Sequence, residues 1–168
     1  HRLGGTIRQK QKEHALVLTF RKKDVLAQLF AHMKHKLRTP KHSDLQHFPW
    51  NIGYRDDTTC ILTNGWLAGF IDADGGFKIR WTQQKKHPHT HKVLTKHRIS
   101  VSFVLEQRKT HAKTGESFEP IMQKICTAFE VPLRERHHHG QFYWCVELSG
   151  LKKLRKLIMY LEQFHLLS

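Results

Sequence analysis

The chain has 168 residues, of which 39% are hydrophobic, and its formal net charge is +15 at pH 7. The length fits one ordinary domain or two small ones, and the apolar content excludes a chain that is disordered by composition. The charge favours a polyanionic partner, because lysines and arginines that neutralise phosphates release counterions. No apolar run approaches the roughly 20 residues that span a bilayer, so we expect no membrane partner.

The front part of the chain predicts two strands and a helix. Residues 4–10 and 14–20 have the short alternating pattern of strands. Apolar residues then recur at helical spacing over 23–36, and Pro40 ends this predicted helix. Residues 43–62 are predicted to be a linker, because they include Pro, Asp and Asn without a clear apolar period.

The remainder predicts a complete α+β unit. The segment 97–107 alternates clearly, with Phe103 and Leu105 on one side and Ser100 and Ser102 on the other. The segment 85–96 is basic and histidine-rich and is predicted to be a loop. The predicted elements are a helix over 64–74 with Asn64 as N-cap, strands over 76–84 and 97–107, a helix over 118–130, a hairpin of 132–138 and 141–148 around Gly140, and a helix over 150–164.

The sequence also contains an internal repeat. The apolar pattern of the front strand and helix returns at an offset of 128 residues, so that strand, turn, strand and helix occur at both ends. The front copy lacks the helix and strands that precede these elements in the second copy. We therefore expect the sequence to be a fragment that starts inside a first repeat. The second strands correspond through Leu16, Leu18 and Phe20 in the front copy and Trp144, Val146 and Leu148 in the second.

One short segment carries a specific resemblance. Residues 67–75 read LAGFIDADG. This segment resembles the naming motif of the LAGLIDADG homing endonuclease family, with Phe70 in place of leucine, and the order of the predicted elements fits as well. The resemblance implies an α+β fold: an antiparallel β-sheet saddle with helices on one face, plus a partial second copy. Residues 63–168 would be a complete repeat and residues 1–42 the C-terminal part of a preceding one.

The motif can also be interpreted from its chemistry. Ala68, Gly69 and Ala73 are small enough to let another backbone approach closely. Gly75 and Gly76 are expected to end the helix and to permit unusual dihedral angles. Asp74 then lies at a helix C-terminus, where the helix dipole disfavours a carboxylate unless a cation is present. Oxygen ligands of this kind suit Mg²⁺.

The resemblance implies a catalytic arrangement. In the family two motif helices pack together, from a dimer or from two fused repeats, and each contributes one metal-binding acid, which here is Asp74. Asp72 would be structural. Gln107 matches a glutamine near the end of the second strand, and Lys41 matches a lysine after the last helix. The repeat offset carries Lys41 one position past Ser168, so we expect this chain alone to be inactive.

The resemblance further implies that the sheet faces nucleic acid. Arginine and glutamine can contact base edges in the major groove, whereas Lys85 and Lys86 are expected to meet phosphates. Phe77, Ile79 and Trp81 are predicted to point into the core. The side chains expected on the binding face are Lys78, Arg80, Thr82, Gln84, Arg98, Ser100, Ser102, Arg134 and Arg136, with Thr6 and Arg8 from the front copy.

Two functions remain open at this point. The first is a Mg²⁺-dependent, site-specific endonuclease of double-stranded DNA. The second is a non-catalytic RNA-binding protein derived from the family, either a ribosomal or ribonucleoprotein component or a group I intron maturase, with rRNA or intron RNA as partner. A second LAGLIDADG repeat, as a dimer or as a missing N-terminal part, is the expected protein partner, because this chain carries only one motif acid. An organelle, the mitochondrion in preference to the chloroplast, is the expected location.

Overall fold

The computed structural model describes residues 4–11, 15–34, 36–45 and 59–167, and it divides into two compact units, His1–Thr58 and Thr59–Ser168. The first unit contains strands β1 (Thr6–Gln9) and β2 (Leu16–Thr19), which pair antiparallel, followed by helix α1 (Lys23–Met33). These elements confirm the predicted strands and helix. Pro40 lies beyond the helix and begins a 3₁₀ helix, Pro40–Leu45. Residues 46–58 of the predicted linker lie outside the described residues.

The second unit contains the predicted order of helix, two strands, helix, two strands and helix. Its main sheet is antiparallel throughout, with strand order β3-β6-β8-β7. This arrangement confirms the α+β fold with a four-stranded antiparallel sheet. The elements are α2 (Trp66–Asp74), β3 (Gly75–Thr82), β4 (Lys85–Lys86), β5 (Val93–Thr95), β6 (Arg98–Arg108), α3 (Glu119–Phe129), β7 (Arg134–His138), β8 (Gln141–Ser149) and α4 (Leu151–Gln163).

The core of this unit lies between the three helices and one face of the sheet. Because strand side chains alternate between faces, Phe103 and Leu105 of β6 and Val146 and Leu148 of β8 share the helix-covered face, and all four are buried. The opposite face carries no helix of the unit. The hairpin between β7 and β8 turns at His139 and Gly140, which have φ of 51° and 70°. Two successive positive φ values are typical of the tight turns that join antiparallel strands.

The far ends of β3 and β6 differ from the prediction. Ile79, Trp81 and Ile99 share the parity of Phe103, but they are 78%, 70% and 70% exposed, and Phe77 is 51% exposed. The prediction that Phe77, Ile79 and Trp81 are buried in the core is therefore wrong, although their face is correct. The packed core begins at Phe103. Phe77 pairs with Phe103 at the edge of this core, and Ile79, Trp81 and Ile99 lie further along the strand pair. The segment predicted as a loop over 85–96 extends the same hairpin through the short pair β4 and β5.

Helix α2 is held at its N-terminal end by two side chains. The side-chain oxygen of Asn64 accepts a hydrogen bond from the backbone N–H of Trp66 (3.0 Å), although the residue in the N-cap position is Gly65. The Tyr160 hydroxyl of α4 accepts from the N–H of Ala68 (2.9 Å) and donates to the carbonyl of Asn64 (2.8 Å). These bonds satisfy groups that a helix leaves without intrahelical partners. Within the described residues, none of the helices is both long and apolar enough to span a bilayer.

Candidate active site and nucleic-acid interface

The predicted catalytic acid lies where α2 passes directly into β3. Asp74 is the last residue of the helix and is exposed, and Gly75 begins the strand. The side-chain amide of Gln107 donates a hydrogen bond to Asp74 Oδ2. The structure therefore brings together two of the three residues that the sequence analysis assigned to catalysis.

The sheet register explains why Gln107 reaches Asp74. Gly75 pairs with Leu105, so Gln107 lies two residues further along β6 on the same face. This face carries the core, and Gln107 is only 8% exposed. Burying an amide without a hydrogen bond costs free energy. The bond from Gln107 to Asp74 therefore stabilises both the buried amide and one orientation of the carboxylate. Asp74 keeps its exposed position toward solvent.

A cation near this pair was not anticipated from the sequence. Lys109 directly follows the end of β6, two residues beyond Gln107, and its side chain lies on the same face. Its ammonium forms an ion pair with Glu135 and lies 4.2 Å from the ring centre of Trp144, which pairs with Gln107 across the strands. The alternation of β6 could have predicted this position of Lys109, because every second residue after Phe103 lies on the helix-covered face.

One side of α2 is open in the described unit. Leu67, Ala68 and Ile71 are buried, whereas Gly69 and Ala73 are exposed, and a Cβ built on Gly69 meets no atom within 4 Å. Ala68 therefore faces the core, so the prediction that it lets another backbone approach closely is wrong for this residue. The remaining small residues leave room for close approach of another backbone on this side.

Asp72 and Asp74 have different surroundings although they lie on the same turn. Asp72 Oδ2 accepts the backbone N–H of Leu167 (2.6 Å), so Asp72 holds the segment that follows α4. This contact supports the prediction that Asp72 is a structural residue. The two acids of the motif can thus be distinguished by experiment.

The helix-free face of β3 and β6 is basic. Lys78 pairs with Ser102, Arg80 with Ser100 and Thr82 with Arg98, so all six predicted side chains occupy one face. The Ser100 hydroxyl donates to the Arg80 carbonyl (3.4 Å). Thr82 Oγ1 is buried and has no hydrogen-bond partner among the described residues. We refer to these six residues (Lys78, Arg80, Thr82, Arg98, Ser100 and Ser102) as the basic strand pair.

Comparison with known proteins identifies the family. The family model described as LAGLIDADG endonuclease matches residues 67–168, which is more than half of the chain. The chain belongs to the LAGLIDADG endonuclease family. Among solved structures it is similar to the homing endonuclease I-TnaI, with 16% identity over 61% of this chain and 60% of that chain and a TM-score of 0.42.

Two further solved structures are similar to this LAGLIDADG chain. I-LtrWI bound to its target DNA shares 18% identity over 66% of this chain and 33% of that chain, with a TM-score of 0.47. I-CpaMI bound to uncleaved DNA shares 22% identity over 62% of this chain and 32% of that chain, with a TM-score of 0.44. The chain thus spans between 32% and 60% of the length of the three proteins it matches.

Several predicted site residues of the LAGLIDADG chain lie outside its main sheet. Gln84 follows the end of β3 at Thr82, so it does not share the strand alternation on which its assignment was based. Lys85 and Lys86 form β4 and are exposed. Thr6 and Arg8 of β1 share one face and are exposed, and Lys41 lies in the 3₁₀ helix. These three residues belong to the first unit. Their roles stay predictions.

Arg134 and Arg136 are on the helix-free face as predicted, but both are engaged by carboxylates. Arg136 donates from Nη1 to Glu106 and from Nη2 to Glu147 (2.9 Å), and Arg134 donates to Glu147 (3.3 Å). Burial opposes ionisation of Glu106, but hydrogen bonds from His138 and Arg136 and their charges outweigh it and lower the Glu106 pKa. Neither glutamate was among the predicted site residues, although Glu106 continues the parity of Ser100 and Ser102.

The histidines of the run 137–139 have different surroundings. His138 contacts Glu106 (3.2 Å) and stacks on Tyr143 (4.0 Å between ring centres), whereas His137 packs against Phe142 on the other face. In the part of the chain that the structure describes, no group of three or more His, Cys, Asp or Glu residues could hold a metal ion.

The cysteines are expected to differ in reactivity. Burial raises the pKa of the Cys126 and Cys145 thiols to about 11, with the neighbouring thiol adding to the effect on Cys126, whereas Cys60 is exposed. Because the thiolate is the nucleophile, iodoacetamide at pH 8 should alkylate the native chain at Cys60 and leave the other two thiols intact. Mass spectrometry of native and urea-unfolded protein tests this result. Alkylation of all three thiols at equal rates in the native protein would show that the two buried sites are open.

Proposed function

We propose that this chain supplies one catalytic half of a site-specific, metal-dependent endonuclease of double-stranded DNA. The observation that carries the proposal is the Asp74–Gln107 pair at the end of α2, beside the basic strand pair. Asp74 precedes β3 directly, so Lys78 begins the basic face roughly 13 Å along the strand from it. A duplex that neutralises the basic strand pair therefore has its phosphates within reach of Asp74.

The proposed metal is Mg²⁺, and the residues present fit half of a site. Mg²⁺ is commonly held by one or two carboxylates together with substrate phosphates and water, and it does not need a cage of protein ligands. Asp74 can supply one such carboxylate, because it is exposed and its position at a helix C-terminus favours a bound cation. Gln107 would orient that carboxylate. The metal, when bound, would stabilise negative charge on the scissile phosphate. One solved relative, I-SmaMI, is bound to uncleaved DNA in the presence of calcium ions.

The second acid is proposed to come from a second motif helix packed on the open side of α2. Exposed Gly69 and Ala73 leave space for that helix, and such packing would place a second carboxylate near Asp74. The helix can belong to a second copy of the chain or to a fused repeat. We infer that residues 1–42 are part of a preceding repeat, because β1, β2 and α1 follow the same order as β7, β8 and α4. A mitochondrial location remains a proposal from the resemblance.

A non-catalytic RNA-binding function is the second candidate, and one observation favours it. Ile79, Trp81 and Ile99 are exposed on the face opposite the basic strand pair, and the segment 75–105 that carries them contains no Asp or Glu. Unpaired bases of RNA stack on exposed aromatic rings within basic surroundings. Under this proposal, Trp81→Ala weakens binding to single-stranded RNA while leaving duplex DNA binding unchanged.

The endonuclease proposal is tested with two proteins: the full chain, and a tandem of two full chains joined by a flexible linker. Each is incubated with a plasmid library that carries randomised inserts, with Mg²⁺ or with EDTA, and cut ends are sequenced. We expect the single chain to bind duplex DNA without cutting it and the tandem to cut recurrent sites only with Mg²⁺. Binding to folded RNA in preference to duplex DNA, together with no cutting by the tandem, would favour the RNA-binding function instead.

A further inference from the structure

The helix-free face of the sheet contains a group of linked charges beyond the basic strand pair. Arg136 lies between Glu106 and Glu147, and Arg134 and His138 each contact one of the two glutamates. We refer to these five residues as the carboxylate cluster. The glutamate side chains are each 25% exposed, and the buried Cys145 lies beneath, paired with Glu106 on one side and Arg134 on the other.

The two halves of this face differ in charge. The segment 75–105, which forms β3 and most of β6, contains no acidic residue. The half formed by β7, β8 and the end of β6 carries two carboxylates, Glu106 and Glu147, beside three guanidinium groups, those of Arg108, Arg134 and Arg136, so most of its positive charge is offset. A surface used only to neutralise phosphates would gain from replacing either glutamate, because an ionised carboxylate repels the DNA backbone. The contacts to His138 and Arg136 lower the Glu106 pKa and so favour its ionised form further.

Carboxylates are useful on such a face where they meet hydrogen-bond donors of the bases. In the major groove, cytosine N4 and adenine N6 are donors, whereas guanine presents only acceptors there, so a carboxylate discriminates between base pairs. The hydrogen bonds that Glu147 accepts from Arg134 and Arg136 both end on its Oε2 atom. The pairing with Arg136 also fixes the side-chain rotamers before DNA binds, which reduces the entropy lost on binding.

We propose that the carboxylate cluster determines base selectivity, with Glu147 and Glu106 accepting hydrogen bonds from the amino groups of cytosine or adenine and Arg136 positioning both. The basic strand pair then supplies most of the sequence-independent affinity. This inference rests on the proposed DNA-binding function, but it does not require that the chain cleaves DNA. A tandem protein that selects a sequence without cutting it would refute the nuclease and leave this inference intact.

The experiment is selection of binding sites by the full chain from randomised duplex DNA, followed by sequencing. Glu147→Gln is compared with Glu135→Gln, which removes the same charge from β7 on the opposite face, where Glu135 contacts Lys109. We expect Glu147→Gln to lower discrimination at one or two adjacent base positions by about tenfold, while its affinity for random duplex is unchanged or higher. Glu135→Gln should keep the wild-type profile.

Three results would overturn the proposal. The first is an unchanged profile for Glu147→Gln, and the second is an equal loss of discrimination in Glu135→Gln. The third is a wild-type chain that binds duplex DNA but selects no base at any position. If Glu147→Gln does not fold, as judged by thermal unfolding, Glu106→Gln is tested in the same way with the same expected loss. A purely structural role for the cluster would lower the melting temperature and leave the profile of the folded variant unchanged.

Discussion

Replacing Asp74 with asparagine in both halves of the tandem protein is expected to lower Mg²⁺-dependent DNA cleavage by at least about 100-fold. Asparagine keeps the size of the side chain and can still accept a hydrogen bond from Gln107, but it removes the negative charge that would hold the metal. Duplex binding, measured by mobility shift, should be unchanged or slightly stronger because a negative charge is lost. Cleavage is measured as the initial rate on a plasmid that carries a selected site.

Asp72→Asn is the matched control for this prediction. It removes the same charge two residues away, and its remaining side-chain oxygen can still accept the N–H of Leu167. We expect cleavage by this variant to stay within a few-fold of the wild-type rate. Equal loss of cleavage in both variants would mean that the charge of the helix end matters in general and that Asp74 has no special role. A wild-type cleavage rate for Asp74→Asn would show that Asp74 is not part of the active site.

Gly75→Ala is expected to lower the free energy of unfolding by about 1–3 kcal/mol, the usual cost of forcing an extra methyl group into a packed site. A Cβ on Gly75 would lie 2.7 Å from the Ile71 carbonyl oxygen, 2.9 Å from the Ile71 side chain and 3.0 Å from the Phe103 ring. The carbonyl belongs to the last turn of α2 and cannot rotate away without breaking that turn. We therefore also expect the Asp74 carboxylate to shift and cleavage by the tandem to fall.

Gly76→Ala provides the control for Gly75→Ala, because a Cβ on Gly76 meets no atom within 4 Å. Urea unfolding should give it a free energy of unfolding within about 0.5 kcal/mol of the wild type. Gly75 itself has φ of −85° and ψ of 155°, which any residue adopts, so the expectation of an unusual dihedral angle at this position is wrong. If both variants are equally stable, close packing does not require glycine at 75.

The alternating and helical patterns were sufficient to predict the elements and the faces of the strands. Phe103 and Leu105 were assigned to one face and Ser100 and Ser102 to the other, and the register confirms this alternation. The pattern could not show where along the strands the helices stop covering the sheet. Ile79 and Trp81 therefore have the predicted parity but are exposed, because burial depends on which distant elements pack above a residue.

The candidate site, like the fold, was predicted in part from the sequence and depends in part on tertiary contacts. Asp74 and Gln107 were identified from the motif and the resemblance, and the structure joins them by a hydrogen bond. The engagement of Arg134 and Arg136 was not predicted, because their partner carboxylates come from β6 and β8. Parity shows which side chains share a face, but only the pairing of strands distant in sequence shows which charges meet.

The sequence by itself determined the family motif, the order of the elements, the basic charge and the position of one acid at a helix end, because each depends on local chemistry or on periods within one element. The tertiary structure decided which glycine is sterically required, which side of α2 is open and which arginines are engaged by glutamates. Those properties depend on contacts between segments far apart in the chain. Their geometry is set by how β6 and β8 pair and by how α4 holds α2, which no periodicity encodes.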